Sequence, residues 1–513
     1  MRQILLPFAL VLVTGCVLWA QPVPIDTFLV LAEGDTDRFW MQVPDQYASS
    51  APPAILIWWH QLGGTQYEMR DYTRFDDLAN QHGWIAASHF GPNDRHWDTR
   101  KAQDHCRAML DWIMQRYPFS RDSIYMIGGS MGGAAGQVWH NNHCGISDYL
   151  IAASAGGSQI LDCQLRQEQY LASGDTNRSM RTAFGGVPGD PDSAAFLYEY
   201  HRYSAVHLRD TTQSMHFNSL HLPVYNTWGS TDFEWQAYGY PAQAWDTLRI
   251  NSSADTTVCQ PSGIPGHGLE VLTQDSVVRW LSGFSVNRFP RDLSINADED
   301  DEYYWTRVTL ASHEHTFGRY GATQDFAGRR LDIHLLRNIA SVEIEFAFPW
   351  PDFDSLSGIW QNDDSSATPT ITVTLRDVPA IRSVQGPDGE PVPFSYMYPT
   401  ATIAVGHSGH YSVLFEPQRV EPRGAATPAE MRLVSAYPNP FNSQITLEIE
   451  CSGAVRQAIR IYDITGRAVK TVEVALNPGV QRVMVSGEGL ASGVYFVATG
   501  RNGQSPLKIV LLK

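Results

Sequence analysis

The sequence predicts an α/β fold for residues 21–290, with a doubly wound, mostly parallel sheet, followed by two small β-sandwich domains at 291–417 and 431–513. In the first region short apolar runs alternate with helical stretches, which is typical of a parallel sheet with helical crossovers. Beyond it, short β-type runs follow one another without helical stretches between them. A stretch rich in proline, alanine and arginine is predicted to be a linker at 418–430. The length of 513 residues agrees with about three domains.

Apolar runs give the predicted strands of the first domain. These strands are 28–31, 39–43, 54–59, 84–87, 123–127, 150–153 and 223–228. Apolar residues recur at spacings of three and four between 100 and 117, which predicts an amphipathic helix. A second helix of this kind is predicted after His267. The region 156–222 has only short helical pieces among glycine, serine, aspartate and arginine, and we interpret it as a lid or binding loop.

The middle region opens with an acidic run, 296–302, before its first β-type residues. Such a run could ligate calcium, but it lacks the glycine-turned spacing of a calcium loop, which favours a solvated linker. The nearby pair His313 and His315 lacks a third ligand, so it is interpreted as part of a surface strand.

The N-terminus predicts export. Arg2 precedes an apolar stretch that ends at Val13, and small residues follow, which is typical of a signal peptide at 1–20 cleaved after Ala20. The tetrapeptide ending at Cys16 also resembles a lipoprotein box, in which that cysteine would carry a lipid. No second apolar run approaches the roughly 18 residues that span a bilayer. The sequence therefore predicts an exported, soluble protein without a transmembrane segment.

The net charge and the cysteine content limit the partners, disulfides and cofactors that the sequence predicts. The formal net charge is −17, and no run of lysine and arginine could follow a phosphate backbone, so nucleic acid is not a predicted partner. Five cysteines follow the signal peptide: Cys106, Cys144, Cys163, Cys259 and Cys451. An oxidising compartment permits disulfides among the first four, in any of three connectivities. No zinc-type spacing is present, and neither a metal nor an organic cofactor is predicted.

Ser130 is the candidate nucleophile. The apolar run 123–127 leads directly into Gly128-Gly-Ser-Met-Gly132, and a stretch of small residues continues as a predicted helix. This is the strand-turn-helix context of a nucleophile elbow, in which glycines relieve crowding around a strained serine. A serine hydroxyl needs a base to remove its proton and an acid to orient that base.

The chain supplies both partners downstream. A short apolar strand ends in a turn at Gly229, and Asp232 follows it as the candidate acid. Further on, His267 stands between two glycines on a loop before the last predicted helix, as the candidate base. The chain order serine, acid, histidine is that of α/β-hydrolases.

Two backbone N–H groups are predicted to form an oxyanion hole. Met131 supplies one, at the start of the helix after the nucleophile. The other lies in the His60-Gln-Leu-Gly-Gly64 turn after the third strand, with Leu62 as the first candidate and Gln61 as the second.

These motifs resemble the α/β-hydrolase superfamily over residues 50–288, and within it secreted esterases grouped with polyhydroxybutyrate depolymerases and feruloyl or acetylxylan esterases. That group carries His-Gly-x-Gly-Gly at the oxyanion turn, Gly-x-Ser-x-Gly-Gly at the elbow, and a Gly-x-x-Asp and a Gly-His pair downstream. The chain departs from the pattern at Gln61, where the group has glycine. Residues 83–88 and 116–125 also resemble prolyl-oligopeptidase-like hydrolases, which share the triad.

The last segment, 431–513, resembles the type A sorting domain of type IX secretion. Four blocks carry the resemblance in order: 437–442 (YPNPFN), 461–467 (IYDITGR), 491–496 (ASGVYF) and 508–513 (KIVLLK). The resemblance implies export through the periplasm of a Gram-negative cell and recognition by the outer-membrane secretion machinery, followed by removal of the tail.

The sequence therefore predicts a secreted or cell-surface serine hydrolase that cleaves carboxylic esters in a polyester or an esterified polysaccharide. The predicted triad is Ser130, Asp232 and His267, with Leu62 and Met131 as oxyanion donors. A prolyl-oligopeptidase-like serine peptidase is the alternative, and a non-catalytic polymer-binding protein is a third interpretation.

Overall fold

The computed structural model describes the chain from residue 22 to residue 512, apart from these positions: 32–33, 192, 253, 255, 326–327, 346–354, 364–370, 377, 398–399, 417–430, 440, 452–454, 464–466, 477–478 and 499–506. The predicted signal peptide and the linker at 418–430 lie outside the described residues. The chain divides into two compact units. The first runs to Pro290 and includes 294–304 and 312–318, and the second comprises 291–293, 305–311 and 319 onward.

An eight-stranded sheet forms the centre of the first unit. Its strands are β1 (Val23–Val30), β2 (Thr36–Val43), β3 (Ile55–Trp59), β4 (Ile85–His89), β5 (Ile124–Gly129), β6 (Ala153–Gly157), β7 (Val224–Trp228) and β8 (Thr257–Pro261). The spatial order is β1-β2-β4-β3-β5-β6-β7-β8. Strands β1 and β2 pair antiparallel, and β4, β3, β5, β6, β7 and β8 pair parallel. The predicted doubly wound, mostly parallel sheet is confirmed.

Helices cover both faces because the central strands are apolar on both sides. The helices are α1 (Glu68–Tyr72), α2 (Phe75–Gln81), α3 (Arg100–Arg116), α4 (Ala135–Asn142), α5 (Cys163–Ala172), α6 (Arg178–Phe184), α7 (Ala194–Arg202), α8 (Asp232–Glu234), α9 (Tyr240–Asn251) and α10 (Gln274–Leu281). In β3, Ile55, Ile57 and Trp59 pack in one cluster with α3 and α4. Leu56 and Trp58 pack in another with α1, α2 and α10. The alternation along one strand therefore creates two separate cores.

Two strands depart from the sequence prediction. The sixth strand was expected at 150–153 but lies at Ala153–Gly157, a run of small residues with low hydrophobicity. A Cβ at Gly156 would lie 2.2 Å from the carbonyl oxygen of Gly133, so close packing against the elbow requires glycine there. The edge strand β8 was not predicted, because its half-exposed residues include few apolar side chains and end in proline.

The predicted lid at 156–222 is a packed part of the first unit. It contributes α5, α6 and α7, whose Met180, Phe184 and Tyr200 share a core with Met131 and Val138 of the elbow and helix α4. The insertion therefore packs against the elements that carry the candidate nucleophile.

The acidic run is not a solvated linker. Asp298 is buried, and its Oδ2 atom lies 2.8 Å from the Arg202 guanidinium while its Oδ1 atom accepts a hydrogen bond from Tyr303 at 3.0 Å. Residues 294–304 belong to the first unit, so this stretch is part of its structure. His313 lies in a loop and contacts Asp300, rather than lying in the predicted surface strand.

The second unit is built from strands in its described parts. The connecting segment carries β9 (Asp292–Ala297) and β10 (Glu302–Tyr303), and further strands follow: β11 (Thr306–Leu310), β12 (Gly318–Asp325), β13 (Arg330–Arg337), β14 (Ile339–Ile344), β15 (Ser355–Asn362), β16 (Ile371–Leu375), β17 (Ile381–Gln385), β18 (Phe394–Met397), β19 (Thr400–Val405) and β20 (Gly409–Phe415). One sheet includes the order β11-β14-β16-β19-β18 and the other β17-β20-β15-β13-β12. Buried and less buried residues alternate along β12 and β19, which is typical of a sandwich.

The tail forms two further sheets around one apolar core. Its strands are β21 (Met431–Tyr437), β22 (Gln444–Cys451), β23 (Val455–Tyr462), β24 (Ala468–Leu476), β25 (Gly479–Ser486), β26 (Gly493–Ala498) and β27 (Leu507–Leu511), ordered β21-β22-β25 and β24-β23-β26-β27. Leu447 of the first sheet and Ile461 and Ile509 of the second belong to one cluster. The predicted small sandwich is confirmed.

Hydrogen bonds join the first and last sequence blocks of the tail. The Asn439 side chain donates to the Lys508 carbonyl and accepts from the Val510 N–H, both at 2.8 Å. The Phe441 N–H donates to the Val510 carbonyl at 2.9 Å. The YPNPFN block therefore holds the final strand β27.

All five described cysteines are unpaired, and none of the disulfides that an oxidising compartment would permit is formed. Within the described part of the chain, no helix is long and apolar enough to cross a membrane.

Replacing Asp298 with asparagine should destabilise the first unit by about 3–5 kcal/mol at neutral pH, because the Arg202 charge loses its buried partner. Burial alone would raise the pKa of Asp298, but Arg202 and Arg100 outweigh it and lower that pKa. The stabilisation is therefore complete above the ordinary carboxyl pKa of about 3.9 and is lost as the pH falls through the lower folded value. Urea unfolding at several pH values should show the difference from wild type shrinking below about pH 4.

The matched control is Asp300→Asn, which removes the same charge from an exposed side chain of the same run. Equal losses of stability in the two variants would contradict a stabilising buried ion pair between Asp298 and Arg202. A difference in stability between Asp298→Asn and wild type that does not change with pH would also contradict it.

Candidate active site

Ser130 lies at a sharp turn between strand β5 and helix α4. The strand ends at Gly129, a 3₁₀ turn spans Ser130–Ala134, and α4 begins at Ala135. The backbone φ of Ser130 is 51°, a left-handed conformation that costs free energy for a residue with a side chain. The predicted elbow geometry is present, with a strained serine at its tip.

The glycines on either side of Ser130 are required by close backbone contacts. A Cβ at Gly128 would lie 2.2 Å from the Gly132 carbonyl oxygen, and one at Gly132 would lie 2.4 Å from the Trp59 carbonyl oxygen. Any larger residue would push the elbow away from the end of β3.

His267 reaches Ser130 from the loop before α10. Its Nε2 atom lies 2.7 Å from Ser130 Oγ, a normal hydrogen-bond distance. The structure therefore brings together two of the three predicted triad residues, which are far apart in sequence.

Glu234, and not Asp232, is the carboxylate that contacts His267. His267 Nδ1 lies 2.8 Å from Glu234 Oε1, and the Glu234 side chain is 4% exposed. Asp232 is exposed at the first position of α8. The choice of Asp232 as the acid is therefore corrected to Glu234.

The helical phase after the turn explains this correction. Residues 232–251 form one continuous helical stretch with a π-helical segment at Trp235–Gly239. Glu234, Ala237 and Tyr238 are buried, so positions i, i+3 and i+4 form the inward face of this helix. Asp232 lies off that face. The apolar residues three and four positions after Glu234 were the sequence signal that favoured it.

Both oxygens of Glu234 are held by donors. Besides His267, Ser158 Oγ donates to Oε2 at 2.6 Å and the Gly229 N–H donates to the same oxygen at 3.2 Å. Burial would raise the pKa of Glu234, but the hydrogen bonds from His267, Ser158 and Gly229 outweigh it and lower that pKa. The group is therefore a carboxylate at neutral pH, suited to accept the Nδ1–H of His267.

The histidine loop lies on glycines at the ends of three neighbouring strands. A Cβ at Gly129 would lie 2.6 Å from the Leu269 nitrogen, and Cβ atoms at Gly157 and Gly229 would each lie 2.1 Å from carbonyl oxygens of the loop, those of Gly268 and Gly266. These three glycines end or follow β5, β6 and β7. Their missing side chains let His267 approach Ser130.

Gln61, the departure from the family pattern, also binds this loop. Its side-chain oxygen accepts from the Leu269 N–H at 3.1 Å. Its backbone N–H donates to Glu68 Oε2 at 2.9 Å, so this second candidate for the oxyanion hole is already used within the fold. Leu62 and Met131 remain the predicted donors. Leu62 is 44% exposed and Met131 is buried.

A cavity of about 950 Å³ adjoins His267 and Glu234. Its wall includes Arg166 and Tyr170 of α5, and Phe233 and Tyr238 of the helical stretch after β7. The Tyr238 ring centroid lies 5.0 Å from that of His267. The cavity is large enough for a drug-sized ligand.

Among the described residues, no three histidine, cysteine, aspartate or glutamate side chains are grouped so that they could hold a metal ion.

Comparison with known protein families identifies the tail. Residues 435–512 match the family model of the secretion system C-terminal sorting domain. The strand order, the elbow and the chain order Ser130, Glu234, His267 define an α/β-hydrolase fold for the first unit. The chain is thus an α/β-hydrolase-fold protein, and its last segment is a secretion-system sorting domain.

The chain is similar to several solved structures over about half of its length. FphF, a fluorophosphonate-binding serine hydrolase of Staphylococcus aureus, is 17% identical over 51% of this chain and 98% of its own, with a TM-score of 0.37. An S-formylglutathione hydrolase from Agrobacterium tumefaciens is 11% identical over 52% of this chain and 96% of its own, with a TM-score of 0.39. A post-proline cleaving enzyme from Rickettsia typhi is 13% identical over 51% of this chain and 37% of its own, with a TM-score of 0.35. No curated protein sequence matches the chain.

Exchanging Glu234 for glutamine should lower kcat by about 10²–10⁴-fold, because a neutral amide no longer stabilises the imidazolium or fixes its tautomer. The matched variant is Asp232→Asn, which removes the charge of an exposed side chain two residues before Glu234. Its kcat should stay within about twofold of wild type. Steady-state kinetics on a chromogenic ester measures both. A large loss in Asp232→Asn with little change in Glu234→Gln would identify Asp232 as the acid.

Proposed function

We propose that this chain is a secreted serine hydrolase that cleaves carboxylic esters through an acyl-enzyme on Ser130. The observation that carries the proposal is the continuous hydrogen-bonded chain from Ser130 Oγ through His267 to Glu234, with contacts of 2.7 and 2.8 Å. This is the geometry by which a weak hydroxyl nucleophile becomes reactive.

The chemistry follows from the position of each group. Ser130 Oγ attacks the ester carbonyl while His267 Nε2 takes its proton, and Glu234 stabilises the imidazolium through Nδ1–H. The negative oxygen of the tetrahedral intermediate is bound by the N–H groups of Leu62 and Met131. The intermediate expels the alcohol, which receives the proton from His267, and leaves an acyl group on Ser130. Water, deprotonated by His267, then releases the acid and restores the serine.

A polymeric substrate agrees with the apolar side chains exposed beside the site. Phe233, Trp235 and Tyr240 are 59%, 41% and 58% exposed, and all three lie in the helical stretch that carries Glu234. Leu62 and Ile264, in the oxyanion turn and the histidine loop, are also exposed. Exposed apolar groups of this kind are typical of binding surfaces. A polyester or an esterified polysaccharide would contact Phe233 in the cavity wall and the exposed side chains outside that wall.

A serine peptidase uses the same triad chemistry and is the alternative. The two functions differ only in the leaving group, an alcohol or an amine, and His267 would protonate either. The intact hydrogen-bonded triad argues against a purely non-catalytic polymer-binding protein.

The tail supports export. Together with the predicted signal peptide at 1–20, the sorting domain agrees with passage through the periplasm and delivery to the cell surface or the medium by type IX secretion. The folded tail is the part that the secretion machinery would recognise.

Ser130→Ala should reduce hydrolysis of p-nitrophenyl acetate by about 10⁴-fold or more, because no nucleophile remains, and should abolish labelling by a fluorophosphonate. Ser193→Ala, at the N-terminal end of α7, serves as the control and should keep wild-type activity. A panel of hydroxybutyrate oligomers, feruloylated and acetylated sugars, and proline-containing peptides then separates esterase from peptidase. If Ser130→Ala cleaves p-nitrophenyl acetate as fast as wild type, the proposal fails.

Deleting residues 431–513 should leave an active hydrolase in the periplasm of a Gram-negative host that has type IX secretion, whereas the full chain should reach the cell surface or medium. Fractionation followed by the ester assay measures both forms. Equal export of the two forms would remove the proposed role of the tail.

A further inference from the structure

Arg166 is a buried cation in the wall of the cavity beside His267. It lies on α5 and is 8% exposed. Its guanidinium carbon lies over the rings of Tyr170, Tyr238 and Phe233, at 4.4, 5.2 and 5.6 Å from their centroids. Three aromatic rings of one wall therefore surround one positive charge.

The partners of Arg166 are neutral oxygens. Its Nη1 donates to Gln169 Oε1 at 2.8 Å, and its Nη2 donates to the hydroxyls of Tyr170 and Tyr238 at 3.3 and 3.4 Å. Burial raises the pKa of Tyr238 to about 12, so that hydroxyl carries no charge at neutral pH. The Nε atom of Arg166 is buried and has no hydrogen-bond partner within the described structure.

The carboxylates nearby are committed to other groups. Glu234 accepts from His267, Ser158 and Gly229. Asp162, one turn before Arg166, accepts from the backbone N–H groups of Leu165 and Leu208. Among the residues described, none places a carboxylate oxygen within 4.0 Å of the Arg166 guanidinium. A buried arginine without an anionic partner is unusual, because burial of an unpaired charge is costly.

We propose that Arg166 binds a carboxylate of the substrate, so that the preferred esters carry a free carboxylate beyond the bond that is cleaved. The inference rests on the proposed ester hydrolysis and adds to it the chemical class of the substrate. The planar guanidinium, whose hydrogen-bond partners are all neutral, suits a carboxylate, and the aromatic rings around it exclude water from the contact. The net charge of −17 repels anions at long range. The attraction for a substrate carboxylate therefore comes from Arg166 within the cavity and not from the overall charge of the protein.

Matched ester pairs test the proposal. On the acyl side, 4-nitrophenyl hemiglutarate is compared with the ester in which a primary amide replaces the free carboxylate. On the alcohol side, 4-acetoxybenzoate is compared with 4-acetoxybenzamide. Measurements at about 0.15 M ionic strength confine exposed charges to a range of about 8 Å. The quantity of interest is kcat/KM for the anion divided by kcat/KM for the amide.

Arg166→Gln should lower this ratio by about tenfold or more in at least one pair. Dividing the wild-type ratio by the variant ratio cancels the intrinsic reactivity of each ester. Arg166→Lys keeps the charge without the planar fork and should retain part of the preference. The control Arg209→Gln removes an equal charge from an exposed side chain outside the cavity and should leave the ratio unchanged.

Unchanged ratios in both pairs for Arg166→Gln overturn the proposal, as does an equal fall in Arg209→Gln. If Arg166→Gln does not fold, an unchanged ratio in Arg166→Lys overturns it as well. If Ser130 is required for cleavage of the neutral esters but the Arg166 variants do not change the ratio, this inference is rejected. The proposed function is then unaffected. Failure of the wild type to cleave any of the four esters rejects the proposed function itself.

Discussion

The close approach of the histidine loop to the ends of three parallel strands is the constraint on which the candidate site depends. Parallel strands end at the same edge of a sheet, so Gly129 and Gly157 lie side by side there, and Gly229 directly follows the end of the next strand. Cβ atoms at these positions would come within 2.1–2.6 Å of the loop backbone. The position of His267 is therefore set by missing side chains as much as by its own contacts. The strained elbow at Ser130 faces the loop across the same edge.

The polar groups of the site are arranged around this backbone frame. Glu234 approaches the loop from the helical stretch after β7, and Gln61 approaches it from the turn after β3. Glu68 in turn binds the backbone of Gln61 and the indole of Trp58, which ties the turn to the sheet. Each element that contributes a functional group thus also contributes a hydrogen bond that fixes the loop. Gln61, which departs from the glycine of the related motif, has a structural role at this position.

Much of this arrangement could be predicted from the sequence, because its signals are local. Ser130 lies in a short motif between a strand and a helix, and His267 lies between glycines on a predicted loop. Glu234 could not be chosen over Asp232 from the strand-turn pattern alone, because both residues follow the same turn and only the helical phase separates them. The burial of Asp298 depends on Arg202, which is distant in sequence. The acidic run therefore has the sequence pattern of a solvated linker, although it is part of the folded unit. The predicted position of strand β6 is wrong because close packing requires small residues there, whereas strands are predicted from runs of larger apolar residues.

One feature of the tail concerns its recognition as a folded unit. The side chain of Asn439 binds backbone groups of Lys508 and Val510, and strand β27 lies at the edge of its sheet with Ile509 in the shared core. A chain without β27 would leave the Asn439 side chain without these backbone partners and would remove Ile509 from the core. The fold of the sorting domain thus depends on its last strand, so a receptor for that fold would distinguish a chain that carries β27 from one that lacks it.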